Sequence, residues 1–275
     1  MRIDVKKIEP IIKMALKEDI GSGDVTSNYT IDENNTSEAV IKVKEDGVIA
    51  GLDVAEAVFK NIDQKIVFKK NVKDGDFVKK GGIIAVVKGR TRSLLAGERT
   101  ALNFLMRMSG IATMTKAFVD KTKRYGVKIL DTRKTTPGLR YLEKYAVRVG
   151  GGFNHRMGLY DMVLIKENHI KACGSIKKAV KLAERAGLKI EVEVKNIREL
   201  KEALKTNADW IMLDNFNLDE IRKAIKIVNG AKKIEVSGGV NLENVEKIAK
   251  LRPDFISIGS LTHSFKSLDM SMKIV

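Results

Sequence analysis

A single cysteine, Cys173, in 275 residues leaves the chain no internal disulfide and no multi-cysteine metal cage. The three histidines, His155, His169 and His263, are scattered, which argues against a transition-metal centre. Aromatic residues are only 5% of the chain, and no long basic block or stacking motif appears. Both absences count against a nucleic-acid surface, the non-enzymatic alternative that the net charge of +16 first suggests. No run approaches the roughly eighteen uncharged apolar residues of a membrane span. The N-terminal "MRIDVKKIEPIIKMALKED" reads as an amphipathic helix without a signal-peptide apolar block, so a cytosolic protein is expected.

What is present is a globular composition: 44% apolar residues suffice for one large α/β domain or two smaller ones. Residues 2 to 18 read as a helix, broken by "EDIGSGDVTS", a polar loop. "EAVIKVKEDGVIAG" and "KIVFKKNVKDGDFVKKGGIIAVVKG" supply strands with glycine turns, and "LDVAEAVFKNI" lies between them as a helix. That pattern also suits a biotinyl or lipoyl carrier, but no lysine sits at the Asp46-Gly47 turn, and a scaffold role is favoured. A long helix follows over "TRSLLAGERTALNFLMRMSG", with Leu94, Leu95, Leu102 and Leu105 on one side. Glu98 falls within that stripe and Arg99 at its edge; a structural ion pair of Glu98 in a subunit interface is the simplest account.

After Gly126 the texture becomes a strand-then-helix alternation, the mark of a parallel sheet covered by helices. Six strands read clearly: "VKILD", "DMVLIK", "KIEVEV", "DWIMLD", "KIEVSGG" and "DFISIGS". A seventh is expected to hide between Tyr141 and Tyr160. In such folds ligands bind at the carboxyl ends of strands. Those ends carry Asp131, Arg133 and Lys134; Lys166 and Glu167; Glu193 beside Lys195; Asp214; Ser237-Gly238-Gly239; and Gly259-Ser260. Small residues that expose backbone N–H groups in the last two loops suit a phosphate monoester. Arg133, Lys134, Arg156 and Lys166 exceed what one monophosphate requires, so a ligand with several anionic groups is expected. Glu193 and Asp214 could bind ribose hydroxyls, hold Mg²⁺ or stabilise a developing positive charge; an ion pair between Glu193 and Lys195 competes with these readings.

Together "GERTALNFLMRMSGIAT", "DTRKTTPGLRYLEKYAVRVGGGFNHRMGLYDMVLIKENH", "EVEV", "MLDNF", "EVSGGV" and "ISIGSLTHS" closely resemble the quinolinate phosphoribosyltransferase family, in order and over essentially the whole chain. The resemblance implies an α/β protein with an N-terminal α/β sandwich (residues 1–107, with 268–275 packing back on it) and an incomplete six- or seven-stranded α/β barrel (108–267). It implies a homodimer in which Arg99 reaches the neighbour's barrel mouth, with a hexamer of dimers left open. The implied reaction joins quinolinate to phosphoribosyl pyrophosphate, an entry into NAD synthesis, with Mg²⁺ as cofactor.

On that resemblance, Arg99, Arg133, His155, Arg156 and Lys166 clamp the two carboxylates of quinolinate. Lys134 with Lys166 meets the pyrophosphate, and Glu193 and Asp214 face the ribose and Mg²⁺. The loops Ser237-Gly238-Gly239 and Ile258-Gly259-Ser260 hold the 5′-phosphate, and Thr132 belongs to the same binding set. Lys134, Lys166, Glu193 and Asp214 form its catalytic core. The alternatives are a related phosphoribosyltransferase acting on another ring acid and a barrel aldolase using Lys166 as a Schiff base.

Overall fold

The computed structural model describes residues 3–275. Its strands, in chain order, are β1 (Thr36–Val43), β2 (Gly47–Val48), β3 (Val67–Lys70), β4 (Phe77–Val78), β5 (Ile83–Arg90), β6 (Lys128–Leu130), β7 (Val163–Ile165), β8 (Ile190–Val194), β9 (Trp210–Asp214), β10 (Lys233–Ser237), β11 (Phe255–Ser257) and β12 (Met270–Ile274). The chain forms two compact units. The first holds the residues up to Lys116 together with Thr135–Gly151 and Ser264–Val275; the second holds Ala117–Lys134 and Gly152–His263.

The first unit is built on an antiparallel sheet in the order β12-β1-β5-β3. β1 is paired on both edges, and its apolar Ala39, Val40, Ile41 and Val43 are all buried. The helix Leu52–Ile62 buries Leu52, Val54, Ala55, Ala57, Val58 and Phe59. Gly51 precedes it at φ 102°, where a Cβ would stand 2.8 Å from Met108 Sδ, so the position requires glycine. The Asp74 carboxylate accepts from the N–H groups of Gly51 (2.8 Å) and Leu52 (3.1 Å) at the start of that helix, and from the Tyr145 hydroxyl (2.9 Å). Burial, then the Asp74 charge, hold that hydroxyl protonated well above the usual tyrosine range.

One feature differs from the sequence expectation. Val25–Thr30 is a short helix rather than a loop, capped by Asp24, which accepts from the Ser27 N–H and hydroxyl. Six residues are too few to show a helical period, so only the cap could have signalled it. By its contacts Thr135–Gly151 clusters with the first unit, within the span 108–267 expected for the barrel domain. Its helix Arg140–Val149 is held there by Tyr145 on Asp74 and by the buried Glu143, which pairs with Arg107.

The second unit is a six-stranded parallel sheet in the order β6-β11-β10-β9-β8-β7, made of the six strands expected from sequence. A single parallel bridge, Leu130 to Phe153, continues it beyond β6, within the stretch expected to hide a seventh strand. Helices Ile176–Ala183, Ile197–Leu204 and Leu218–Val228 alternate with the strands, and Ser175, Asn196 and Asn217 cap their first turns through side-chain oxygens. Their apolar stripes supply Ile176, Val180, Leu200, Ile221 and Ala224 to the core. Among the described residues, no helix is long and apolar enough to cross a membrane.

Candidate active site

A cavity of about 650 Å³ in the second unit opens at the carboxyl ends of its strands. Because side chains alternate along a strand, each strand presents two inward residues two apart, one deep and one at the mouth. Thus the lining includes Leu164 and Lys166 near β7, Met212 and Asp214 on β9, Glu235 and Ser237 on β10, and Ser257 and Gly259 at β11. Glu193, on β8, lies at the mouth, and Glu191 two residues before it is fully buried.

All but one of the site residues read from the sequence line this cavity: Thr132, Arg133, Lys134, His155, Arg156, Lys166, Glu193, Asp214, Ser237, Gly238, Gly239, Ile258, Gly259 and Ser260. Arg99 is the exception; it lies exposed on the helix Thr91–Thr122 in the first unit. Glu98 beside it is half-buried, and no ion pair to it occurs among the described residues.

The backbone brings the cations into register. The Asp131 carboxylate, fully buried at the end of β6, accepts from the His155 N–H at 2.9 Å and from Asn154 Nδ2 at 2.5 Å. The Lys134 carbonyl accepts from Thr262 Oγ1 (2.7 Å), and a Cβ on Gly259 would meet the Lys134 side chain at 2.9 Å. Gly238 and Gly239 have φ of 93° and 62°, and a Cβ on Gly238 would collide with Asn215 Oδ1 at 2.2 Å. Backbone of this conformation favours glycine at both positions and leaves the loop without side chains at the mouth.

Lys166 Nζ lies 2.5 Å from Glu193, whereas Lys195 pairs with Glu167. The competing Glu193–Lys195 pair is therefore not formed: the two residues find their partners in Lys166 and Glu167, which directly follow β7, the strand beside β8. Burial and then the charge of Arg133 lower the pKa of Arg156, opposed by Glu191 and Asp161. Two guanidinium groups thus repel one another in a single mouth, an arrangement that an anion relieves.

Sequence reading missed the floor. His155 Nε2 lies 2.9 Å from Glu191 and 3.4 Å from Glu235, both glutamates fully buried. Burial alone would lower the His155 pKa, but the hydrogen bond to Glu191 and the charges of both carboxylates outweigh it and push it up to about 9. Burial, then repulsion from Glu235, push Glu191 upward. These three residues are also a group whose spacing could hold a metal ion among the described residues. The available signal was the two-residue period, since "IEVEV" places a second glutamate on the inward face below Glu193.

The quinolinate phosphoribosyl transferase N-terminal domain model matches residues 24–109, and the C-terminal domain model of that transferase matches residues 111–273. The chain belongs to the quinolinate phosphoribosyltransferase family. Among members of this family, a probable nicotinate-nucleotide pyrophosphorylase [carboxylating] from Bacillus subtilis is 45% identical over 98% of this chain and 93% of its own length. Quinolinate phosphoribosyltransferase [decarboxylating] 1b of Nicotiana tabacum is 43% identical over 97% of this chain and 82% of its own. The crystal structure of NadC from Streptococcus pyogenes superimposes with a TM-score of 0.96 at 42% identity, covering 100% of this chain and 99% of that one. The two-domain α/β architecture of this quinolinate phosphoribosyltransferase family member matches that neighbour.

Proposed function

We propose that this chain transfers the phosphoribosyl group of phosphoribosyl pyrophosphate to quinolinate, releasing pyrophosphate and carbon dioxide and leaving nicotinate mononucleotide for NAD synthesis. The observation that carries the reading is the gathering of Arg133, Lys134, Arg156 and Lys166 with two glycine loops in one mouth. A dicarboxylate needs two forked cations, and a phosphorylated sugar pyrophosphate needs lysines and backbone N–H groups besides. One cysteine and no disulfide suit a cytosolic setting.

Arg133, Arg156 and Lys166 clamp the two carboxylates, with His155 in the same lining holding its ring nitrogens to Glu191 and to the Arg156 backbone, and Arg99 of the partner subunit in a homodimer completes the clamp. Lys134, with Lys166 beside it, neutralises the pyrophosphate, while Ser237-Gly238-Gly239 and Ile258-Gly259-Ser260 receive the 5′-phosphate; Thr132 lines the same mouth. Glu193 and Asp214, on adjacent strands, face the ribose and oppose the positive charge that grows on its anomeric carbon, which stabilises the transition state more than the ground state. Their hard oxygen donors also fit Mg²⁺, shared with substrate oxygens. Mg²⁺ when bound supplies charge neutralisation to the leaving pyrophosphate.

The ring nitrogen of quinolinate donates its lone pair to the anomeric carbon as the carbon–oxygen bond to pyrophosphate breaks and its electrons leave with that group. The nitrogen is then quaternary. It stabilises the electron pair left on the adjacent ring carbon when carbon dioxide departs, and a proton from solvent replaces the lost carboxylate. No covalent enzyme nucleophile is needed; the protein clamps and positions.

The test is carbon dioxide release with phosphoribosyl pyrophosphate and Mg²⁺, comparing quinolinate with nicotinate. Equimolar carbon dioxide and nicotinate mononucleotide from quinolinate, and no turnover of nicotinate, are expected. Turnover of nicotinate without turnover of quinolinate would sink the reading.

A further inference from the structure

The floor beneath the clamp holds two glutamates that neither fold nor chemistry has yet accounted for. Glu191 on β8 and Glu235 on β10 have no solvent exposure. Each has one carboxylate oxygen without a hydrogen-bond partner, Oε1 of Glu191 and Oε2 of Glu235. Two buried acids with incomplete satisfaction are costly, and apolar residues of similar volume would serve a core better. What the pair does share is the ring of His155, whose Nε2 lies 2.9 Å from Glu191 Oε2 and 3.4 Å from Glu235 Oε2. Ser257 Oγ, 2.5 Å from Glu235 Oε1, braces the second glutamate from behind.

We propose that Glu191 and Glu235 are positioning residues for the dicarboxylate substrate, acting through the ring of His155 on Arg156; this rests on the assignment of Arg156 to the carboxylate clamp. Two carboxylates facing Nε2 require a proton there, which sets the ring plane and lays the Nδ1 edge against the backbone nitrogen of Arg156, 2.7 Å away. Asp131 grips the same segment through the His155 N–H, and Trp210 stands edge-on to the imidazole with centroids 6.2 Å apart. The His155-Arg156 dipeptide is therefore fixed from β8, from β10 and from the end of β6 at once. A guanidinium aimed by its own backbone meets a planar carboxylate at a set angle, and loosening that backbone weakens binding of the ring acid without touching the ribose side.

The experiment uses the full chain, with wild type first shown to turn over quinolinate, so that failure of the activity itself is seen separately. Glu191→Gln and Glu235→Gln keep the side-chain shape. Each is expected to raise the KM for quinolinate about tenfold, with kcat and the KM for phosphoribosyl pyrophosphate changing less than about twofold. Combining Glu235→Gln with His155→Ala is expected to be no worse than His155→Ala alone, because the pair acts through that ring. Multiplying effects in the double variant, a fall in kcat at unchanged KM, or a His155→Ala variant with normal quinolinate KM would each overturn the proposal. Should a glutamine variant fail to fold, Ser257→Ala removes only the brace on Glu235; a rise of about threefold in the same KM supports the proposal and no change overturns it.

Discussion

Glu143 of the first unit and the Glu191–Glu235 pair of the second are buried in opposite ways. In the first, Glu143 is fully buried and fully answered: Oε1 accepts from Arg107 Nε at 3.0 Å and from its terminal nitrogen, and Oε2 accepts from the Thr136 N–H at 3.1 Å. Asp74 there accepts three hydrogen bonds and so ties a helix start to Tyr145. In the second unit, Glu191 and Glu235 are as deeply buried yet leave an oxygen each unanswered, and Glu193 at the mouth has a single lysine partner. A carboxylate closed on every side stabilises a fold, whereas one left partly open is available to orient a neighbour or meet a ligand.

That contrast is broken or sharpened by four substitutions on a common energy scale. Glu143→Ala leaves Arg107 without its partner and is expected to cost about 3 kcal/mol of stability in urea unfolding, with normal turnover per folded molecule. A loss below about 1 kcal/mol would mean that the closed arrangement is not what holds the first unit. Glu193→Ala should do the reverse: turnover falling by about 10²-fold, or about 2.7 kcal/mol, with unfolding midpoint and quinolinate KM little changed. An unaltered kcat would remove its role.

Arg99 is the instructive exception, an exposed cation of the first unit with no part in its own cavity lining. Arg99→Ala is expected to raise the quinolinate KM about tenfold at constant stability. Mixing that variant with Lys134→Ala should restore activity in a fraction of dimers; no restoration when subunit exchange is demonstrated would refute delivery in trans. Smallest, Tyr145→Phe deletes one of three bonds to Asp74 and should cost about 1 kcal/mol in unfolding experiments while leaving kcat and both KM values untouched.

The six strands of the barrel-like unit were legible because each is an apolar run bounded by turn residues, and the mouth was legible because each run ends in charge or glycine. The helix Val25–Thr30 was not, being shorter than two helical turns. The Lys166–Glu193 pair was not, since it joins β8 to the residue that follows β7, and only the sheet sets those two strands side by side. The floor glutamates carry a period-two signal, but a glutamate in a strand reads as a solvent-facing residue until the sheet closes over it.

The sequence by itself determined the alternation of strand and helix, the two glycine loops and the supply of cations at the strand ends, because propensity and periodicity act between residues close along the chain. Tertiary structure alone decided that Thr135–Gly151 clusters with the first unit, that Lys166 rather than Lys195 answers Glu193, and that Glu191 and Glu235 converge on His155. Those outcomes depend on which strands lie side by side and on which groups lose water, and both are set by long-range pairing.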